Sequence, residues 1–222
     1  MDSETYRAKA AAWLRENAAE YRQPATYTDE ELVTQSKQWA QRKYDAGYSA
    51  IAYPRSAGGA GGTVEEAAIF AAEEAAYHVP TFTGIHIGFG MAMGTIRKHG
   101  TEEQLHRFGT ITHNGDVTWC QMFSEPAAGS DLAALRTRAV WDGQRWILNG
   151  QKVWSSWAHH ADYGVLLARH DPALPKHKGL TMFICDLRAP GVEVRPIRQI
   201  NGKSEFCEIF LTDVAIDDVL RI

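Results

Sequence analysis

The spacing of hydrophobic positions changes near residue 116. Up to that point the pattern follows the roughly 3.6-residue period of amphipathic helices and predicts four or five of them. Three helix starts carry the capping-box signature, in which a threonine hydroxyl and a Glu or Gln three residues later satisfy backbone amides reciprocally. These starts are Thr28 with Glu31, Thr63 with Glu66, and Thr101 with Gln104. We therefore predict an all-α N-terminal domain over residues 1–116.

From residue 117 the pattern shortens to the two-residue alternation of β-strands. Eight short runs rich in β-branched and aromatic residues follow, beginning at residues 117, 136, 145, 151, 163, 180, 192 and 208. Asp142-Gly143 and Asn149-Gly150 are two-residue hairpin signals, because both dipeptides tolerate positive φ angles. We predict an antiparallel β-barrel or sandwich over residues 117–222, and hence an α+β fold for the whole chain.

Composition limits the kinds of ligand that this chain can hold. The 222 residues carry a formal net charge of −4 with a pI near 6.1. Such a balance provides no basic field for nucleic acid or an anionic membrane surface, so an anionic ligand must be held by local groups. We expect no binding to nucleic acid.

Cysteine usage and hydropathy indicate the compartment. Cys120, Cys185 and Cys207 lie in apolar runs without metal-ligand spacing, and an odd number of cysteines fits free thiols in a reducing environment. The N-terminus lacks an apolar core of signal length, and no run approaches about eighteen apolar residues. We expect a cytoplasmic protein without a metal site and without membrane insertion.

One candidate for chemistry is SEPAAGSD, residues 124–131. Pro126 fixes its own φ and Gly129 frees the next turn, so the amides from Ala128 to Ser130 could converge on a phosphate without any lysine. An ordinary loop after a strand explains the same eight residues.

The second candidate is QKVWSS, residues 151–156. Strand alternation places Val153 and Ser155 on one face, with Trp154 and Ser156 on the other. The exposed pair would then offer a flat indole and a hydroxyl to a planar ligand. The alternative is that Trp154 simply covers the barrel, as many strand tryptophans do.

Together and in this order, these stretches resemble the acyl-CoA dehydrogenase family. The similar segments extend over nearly the whole chain and are HGTEEQLHRF (99–108), WCQMFSEPAAGSDLAALRTRA (119–139), DGQRWILNGQKVWSSWAHHADYGVLLAR (142–169), KHKGLTMFICDL (176–187), PGVEVRP (190–196) and EFCEIFLTDV (205–214). The resemblance implies an N-terminal helical domain, a middle β domain and a C-terminal four-helix domain, with FAD between the last two. FAD has both a pyrophosphate and a flat ring, which suits the two stretches.

The resemblance also implies roles for individual residues. The segment Gln121, Met122, Phe123 and Ser124 would follow the pyrimidine edge of the flavin, where backbone donors stabilise negative charge at N1 and the C2 oxygen. Gly129 and Ser130 would lie at the pyrophosphate, with Ser130 also near the CoA arm. Trp154 would form the wall on the ring face away from substrate, next to Ser155 and Ser156. Ser156 stands where the family usually has a threonine that donates to flavin N5, and the loss of one methyl is expected to loosen that contact. His177, in the loop 176–178, would lie near the CoA nucleotide.

The family reaction needs a carboxylate that takes the α proton of the thioester, and the resemblance places it in the C-terminal domain. This sequence ends at DVAIDDVLRI, so that domain is expected to be absent from these residues, and no catalytic residue is assigned. Glu125, Glu205 and Glu208 match a turn and a barrel strand and are expected to be structural.

The expected activity is FAD-dependent α,β-dehydrogenation of an acyl-CoA, with an electron-transfer flavoprotein or similar acceptor as partner. The chain would then be a truncated product, or one member of a split or heteromeric enzyme, and part of a homo- or hetero-oligomer. The competing interpretation is a non-catalytic subunit that serves as a binding partner. An acyl-CoA oxidase or nitroalkane oxidase on the same fold is a third.

Two glycine-rich stretches leave alternatives open. YPRSAGGAGG, residues 53–62, is a loop that either touches a ligand or only connects helices. IHIGFGMAMGT, residues 85–95, either admits a wide branched or polycyclic acyl group or allows close helix packing.

Overall fold

A computed structural model describes all 222 residues, Met1–Ile222, as a helical half followed by a sheet half. The predicted α+β class is confirmed. The helices are α1 (Ser3–Asn17), α2 (Asp29–Asp45), α3 (Val64–Glu74), α4 (Thr83–His86), α5 (Met93–His99) and α6 (Glu102–His113). The strands are β1 (Trp119–Met122), β2 (Arg138–Trp141), β3 (Trp146–Ser156), β4 (Tyr163–Arg169), β5 (Leu180–Asp186), β6 (Val192–Ile197) and β7 (Phe206–Ile216).

The three predicted capping boxes are all formed. Thr28, Thr63 and Thr101 each accept a hydrogen bond from the amide three residues later, and the side chain at that later position binds the threonine amide in return. Each box satisfies two amide donors that a helix start would otherwise leave unpaired. These local signals therefore place the starts of α2, α3 and α6.

Residues 83–99 form one continuous helical rod, in which a π-helical turn (Ile87–Ala92) joins α4 to α5. Gly88 faces β1 so closely that a Cβ atom there would lie 2.7 Å from the Trp119 ring, so packing requires this glycine. Gly90 and Gly94 face open space, with nothing within 4 Å of a Cβ atom. Both interpretations of residues 85–95 thus keep some support.

The seven strands form one curled sheet. Six of them follow the order β1-β4-β2-β3-β7-β6, and β5 pairs with β4 along the edge opposite to β1. The sheet is mixed, whereas the sequence predicted an antiparallel one. β1 runs parallel to β4, and β2 meets the end of β4 in parallel at Arg138 and Arg169. The pairs β2–β3, β3–β7, β6–β7 and β4–β5 are antiparallel.

One of the two predicted hairpins is confirmed and the other is wrong. A tight turn with Gly143 at φ 104° connects β2 to β3. Asn149-Gly150, however, lies inside β3, which merges two predicted strands into one of eleven residues. Gly150 is needed there for close approach, because a Cβ atom would lie 2.7 Å from the Cα of Thr137. The glycine marks a contact between segments, and its φ is not positive.

Three apolar clusters hold the fold together. The first fills the curl of the sheet and includes the cysteines, which are buried and unpaired as predicted. The second joins α1, α2 and α3. The third connects the two halves, because Met93 and Phe108 from the helices pack with Trp119 and Ile184 from the sheet. Through this third cluster the helical rod 83–99 is fixed against β1.

The glycines of the loop 53–62 have packing roles. A Cβ atom on Gly58 would lie 2.6 Å from the Cα of Thr110, and one on Gly59 would clash with the Tyr53 carbonyl. Gly58 also adopts a φ of 70°. The connecting role of this loop is therefore supported. No helix is both long and apolar enough to cross a membrane.

Candidate functional site

The two candidate stretches lie side by side. The amide of Val153 on β3 donates a hydrogen bond of 2.9 Å to the carbonyl of Ser124. This bond brings the end of the β1 segment against the middle of β3, although the two residues lie far apart in sequence. The predicted flavin-edge segment and the strand that carries the predicted ring wall are therefore in direct contact.

The contact between Ser124 and Val153 forms a junction between the two segments. A buried ion pair lies directly beneath this junction. The Nζ atom of Lys152 donates to Glu125 Oε1 at 2.8 Å and to the Phe123 carbonyl at 3.0 Å, and the lysine side chain is 0% exposed. Glu125 also accepts from the amides of Arg136 and Thr137. Burial lowers the pKa of Lys152, with Glu125 opposing that shift. Burial disfavours ionisation of Glu125, but hydrogen bonds from Lys152 and Thr137 outweigh it and lower the carboxyl pKa.

Trp154 stands on a β-bulge and is 59% exposed. The four residues of β3 from Lys152 to Ser155 oppose only three of β7, Ile209 to Cys207, and Trp154 takes a φ of 61°. Its only aromatic neighbour is Phe206, which meets it edge to face at 6.1 Å between ring centroids. One broad face of the indole remains available to a ligand.

The turn in SEPAAGSD is tighter than the sequence predicted. Glu125 and Ala128 exchange two backbone hydrogen bonds, so the Ala128 amide is already used. The Gly129 and Ser130 amides donate to no acceptor in the chain and lie on an exposed bend. Gly129 does not adopt a positive φ, and nothing lies within 4 Å of a Cβ atom placed there. Two of the three predicted donors are thus free.

Several predicted site residues can meet a ligand only through their backbone. The Met122 side chain is 0% exposed and packs in the sheet core, and that of Ser155 is 1% exposed. The Ser155 hydroxyl has no hydrogen-bond partner in the chain.

The other predicted residues of these two segments are partly exposed. Those half-buried at the surface are Gln121, Ser124 and Ser156. Phe123 packs against the cluster that holds the rod 83–99.

The loop 176–178, predicted to lie near the CoA nucleotide, is beside the turn 124–131. Lys176 forms a salt bridge of 2.7 Å with Asp131, next to Ser130, and His177 is exposed in the same loop. Arg169 fixes this arrangement, because its guanidinium donates to the carbonyls of Ala133, Leu135 and Lys176. Ser130 and His177 are therefore carried by neighbouring segments.

The glutamates within reach of this surface are already engaged. Glu125 is buried in the ion pair with Lys152. Glu208 accepts from Gln151, and Glu205 accepts from Lys203. The carboxylates of Glu125, Glu205 and Glu208 thus each have a partner, as a structural role requires.

Sequence reasoning missed Lys152 and Arg169, which hold the site together. Both lie inside stretches that carried the resemblance, but a strand lysine and a strand arginine are usually solvated. The available signal for Lys152 was its spacing of four residues from Leu148, which puts both side chains on one face of a regular strand. Its partner, Glu125, is 27 residues away and could not be paired with it from the sequence.

A cavity of ligand size lies elsewhere in the molecule. It measures about 560 Å³ and is bounded by Tyr6, Arg55 and Glu66 together with the glycines 58, 59, 61 and 62. The Gly59, Gly61 and Gly62 amides donate to backbone carbonyls of the chain itself. Because its backbone donors are used, this cavity offers less to a ligand than the shallow surface beside Trp154.

Comparison with known proteins defines the class. Residues 2–115 match the model of the acyl-CoA dehydrogenase N-terminal domain, and residues 120–214 match that of the acyl-CoA dehydrogenase middle domain. The chain belongs to the acyl-CoA dehydrogenase family.

Individual relatives refine this placement. Acyl-CoA dehydrogenase IpdE1 of Mycobacterium tuberculosis is 37% identical over 98% of this chain, which corresponds to 57% of that protein. Acyl-CoA dehydrogenase FadE34 of the same organism is 54% identical over 59% of this chain and 18% of that protein. The ChsE4–ChsE5 complex from M. tuberculosis has a TM-score of 0.79 at 28% identity, over 99% of this chain and 55% of that one. The Tcur3481–Tcur3483 steroid ACAD gives 0.78 at 27% identity, over 100% and 58%. The chain thus spans little more than half the length of relatives that it matches throughout.

Proposed function

We propose that residues 121–130 and 153–156 form the flavin-facing surface of an FAD-dependent acyl-CoA dehydrogenase. The observation that supports this proposal is the hydrogen bond between Val153 and Ser124, which brings the start of the turn 124–131 against the residue that precedes the exposed Trp154. When bound, FAD accepts the hydride that leaves the β carbon of an acyl-CoA thioester.

The residues present suit such a ligand. A broad indole face on a bulge matches an isoalloxazine ring, since stacked aromatic groups gain contact beyond simple burial. The unpaired amides of Gly129 and Ser130 suit a pyrophosphate in a chain with no excess of cations. Ser156 is the half-buried last residue of β3, two positions after Trp154, and in this proposal its hydroxyl would donate to the ring.

We further propose that the catalytic base is supplied from outside residues 1–222. A general base needs a free carboxylate within hydrogen-bond reach of the α proton. Glu125 is buried and bonded to Lys152, Arg136 and Thr137, so it cannot take that role without breaking the junction. The 222-residue chain alone should therefore turn over no acyl-CoA. It should also hold FAD weakly or not at all, because the adenine half of the cofactor would be held by residues outside it.

A wide acyl group is the substrate class that we favour. Gly90 and Gly94 leave open space along the rod that packs against β1. One solved relative at 27% identity is described as a steroid ACAD, which fits a polycyclic acyl-CoA. We place the reaction in the cytoplasm, with an electron-transfer flavoprotein or similar acceptor.

Assembly with a second, related subunit is the oligomeric state that we favour. The ChsE4–ChsE5 complex, a solved relative, contains two different chains. A specific second candidate follows from the engaged Glu125: the chain serves as a non-catalytic subunit of such a heteromer.

The test combines the chain with an acyl-CoA dehydrogenase subunit that contains the C-terminal domain. We expect the complex to gain bound flavin, seen as visible absorbance, and to reduce an electron-acceptor dye with a polycyclic acyl-CoA. A complex that forms but adds no dye reduction to that of the second subunit supports the non-catalytic role. If the chain alone purifies yellow and reduces the dye at ordinary rates, the assignment of the base to residues outside it is wrong.

A further inference from the structure

Lys152 has an unusual place for a lysine. It lies in the middle of β3, in register with the fully buried Ile209 of β7, and its side chain is 0% exposed. Fully buried lysines are rare, because removing an ammonium from water costs several kcal/mol unless partners replace the lost solvation. The ammonium of Lys152 has two such partners, Glu125 Oε1 and the Phe123 carbonyl.

Glu125 extends this contact to a third segment. Its Oε2 atom accepts from the Arg136 amide at 2.6 Å, and its Oε1 atom accepts from the Thr137 amide at 2.9 Å. The pair therefore connects the end of the β1 segment, the start of β2 and the middle of β3. All three connections meet at a single lysine–glutamate pair.

The pair lies directly under the surface that would meet the cofactor. The Lys152 ammonium fixes the direction of the Phe123 carbonyl, which fixes the peptide that leads to Ser124. The next residue on β3, Val153, donates to the Ser124 carbonyl, and the bulge that exposes Trp154 begins immediately afterwards. We propose that Lys152 and Glu125 are positioning residues, whose ion pair holds residues 123–124 and Trp154 in the relative geometry that flavin binding needs. The cofactor part of this proposal rests on the proposed function.

A purely structural role makes a different prediction from a positioning role. Replacing a buried ion pair with uncharged side chains of similar volume is often neutral for stability, whereas removing one partner leaves an uncompensated charge. Lys152→Met and Glu125→Gln together should therefore leave a folded chain. Methionine donates no hydrogen bond, however, so the Phe123 carbonyl loses its donor in this double variant.

The experiment compares three forms of the 222-residue chain. They are the wild type, the K152M/E125Q double variant and a control, K43M/E74Q, which removes the partly buried pair between α2 and α3. Urea unfolding reports stability, amide hydrogen exchange at Val153 reports the junction, and NMR-monitored titration with FAD reports binding. The single variant K152M is included to show the effect of the uncompensated carboxylate.

We expect the double variant to unfold within the same urea range as the control. Its Val153 amide should exchange at least about ten-fold faster than in the control, and its FAD dissociation constant should rise at least about ten-fold, as small displacements of a site can cause. Unchanged exchange at Val153 in a folded double variant would overturn the positioning role. So would a double variant that fails to fold, because the pair would then be a requirement of the fold itself.

The cofactor claim can fail separately. A wild-type chain without measurable FAD binding both alone and in complex with a subunit that contains the C-terminal domain would contradict the proposed function, and the exchange at Val153 would still decide whether the pair fixes the junction. Faster exchange combined with unchanged FAD affinity would show that the junction does not set the cofactor geometry.

Discussion

Trp154 lies where β3 carries one extra residue relative to β7, and its backbone is left-handed. A non-glycine residue at φ 61° carries strain on the order of 1–3 kcal/mol, and the surrounding pairing of β3 with β7 maintains it. A regular strand turns consecutive side chains to opposite faces, whereas here the neighbours Lys152 and Val153 are both buried. The strain coincides with the residue that the proposed flavin surface most needs.

Replacing Trp154 with alanine should weaken FAD binding without unfolding the chain. The side chain is largely exposed, so little burial is lost on truncation, while the contact with the ring, about 2–4 kcal/mol, disappears. The matched control is Trp141→Ala, because Trp141 is also exposed, at 45%, on the neighbouring part of the sheet. FAD titration of both variants, with urea unfolding alongside, checks this prediction. Equal FAD affinity in the two variants would contradict the assignment.

His113 should make stability depend on pH. Burial lowers its pKa to about 4, and Nδ1–H donates to the Ala57 carbonyl while Nε2 has no partner. The unfolded chain, with a histidine pKa of about 6.5, binds this proton more readily, so the free energy of unfolding falls as pH drops below about 6.5. At pH about 5.5 the loss from this residue alone is about 1.4 kcal/mol relative to pH about 7.5.

The His113→Gln variant isolates this contribution, because glutamine stays neutral and can still donate to Ala57. Urea unfolding at the two pH values should give a smaller difference for the variant than for the wild type. Equal differences would mean that another group carries the effect.

At the scale of elements, Gln104 at the start of α6 makes a second set of contacts besides its capping box. Gln104 completes the box with Thr101, and its Nε2 atom donates to the carbonyls of Val219 and Arg221 near the end of the chain. The same side chain thus begins a helix and ties residues 219–221 to it. Ile222 continues this attachment with a hydrogen bond to Met182 on β5.

Gln104→Glu should be strongly destabilising, although it keeps the capping-box sequence. The buried carboxylate would face two carbonyl oxygens that had been bonded, at a cost of about 3–5 kcal/mol. The reverse change in an exposed box, Glu31→Gln, is the control and should change the free energy of unfolding by less than about 0.5 kcal/mol. Similar urea midpoints for both variants would refute the role given to the amide nitrogen.

Replacing two glycines of the helical rod 83–99 with alanine, one at a time, should change the stability of the chain in opposite directions. Gly94→Ala should stabilise the chain by about 0.5–1 kcal/mol, because alanine favours the helix and its Cβ meets nothing within 4 Å. Gly88→Ala should destabilise it, because its Cβ would meet the Trp119 ring. Thermal unfolding of both variants measures this. A destabilising Gly94→Ala change would show that Gly94 is needed for packing, which would remove a support for the wide acyl site.

The signals that predicted elements correctly are local ones. A capping box lies within four residues, so the sequence placed the starts of α2, α3 and α6. Asn149-Gly150 was misread because Gly150 is required by Thr137, which is distant in sequence. The parallel pairing of β1 with β4 was missed for the same reason, since strand neighbours depend on contacts across the whole sheet. In the site, exposed residues such as Trp154 were predictable, and the buried partners Lys152 and Glu125 were not recognised as a pair.

At the scale of the whole molecule, the cluster around Trp119 connects the helical rod to the strand that leads into the site. Met93 and Phe108 pack on one side of this cluster, and Val165 and Ile184 on the other. Phe123 packs against the same cluster, so one end of the proposed flavin surface is held by the contact between the two halves. An acyl group bound along the rod would lie next to that surface, which is the arrangement that the proposed reaction requires.

The central claim is that residues 121–130 and 153–156 act as one surface for FAD. Its most direct test is an FAD titration of the ¹⁵N-labelled chain, followed by NMR at the amides of Ser124, Gly129 and Ser130 and at the indole N–H of Trp154. The account predicts that these four signals shift together, with one dissociation constant. Absence of any shift both in the chain alone and in its complex with a subunit that contains the C-terminal domain, or shifts confined to the glycines 58–62 around the cavity beside Arg55, would contradict it.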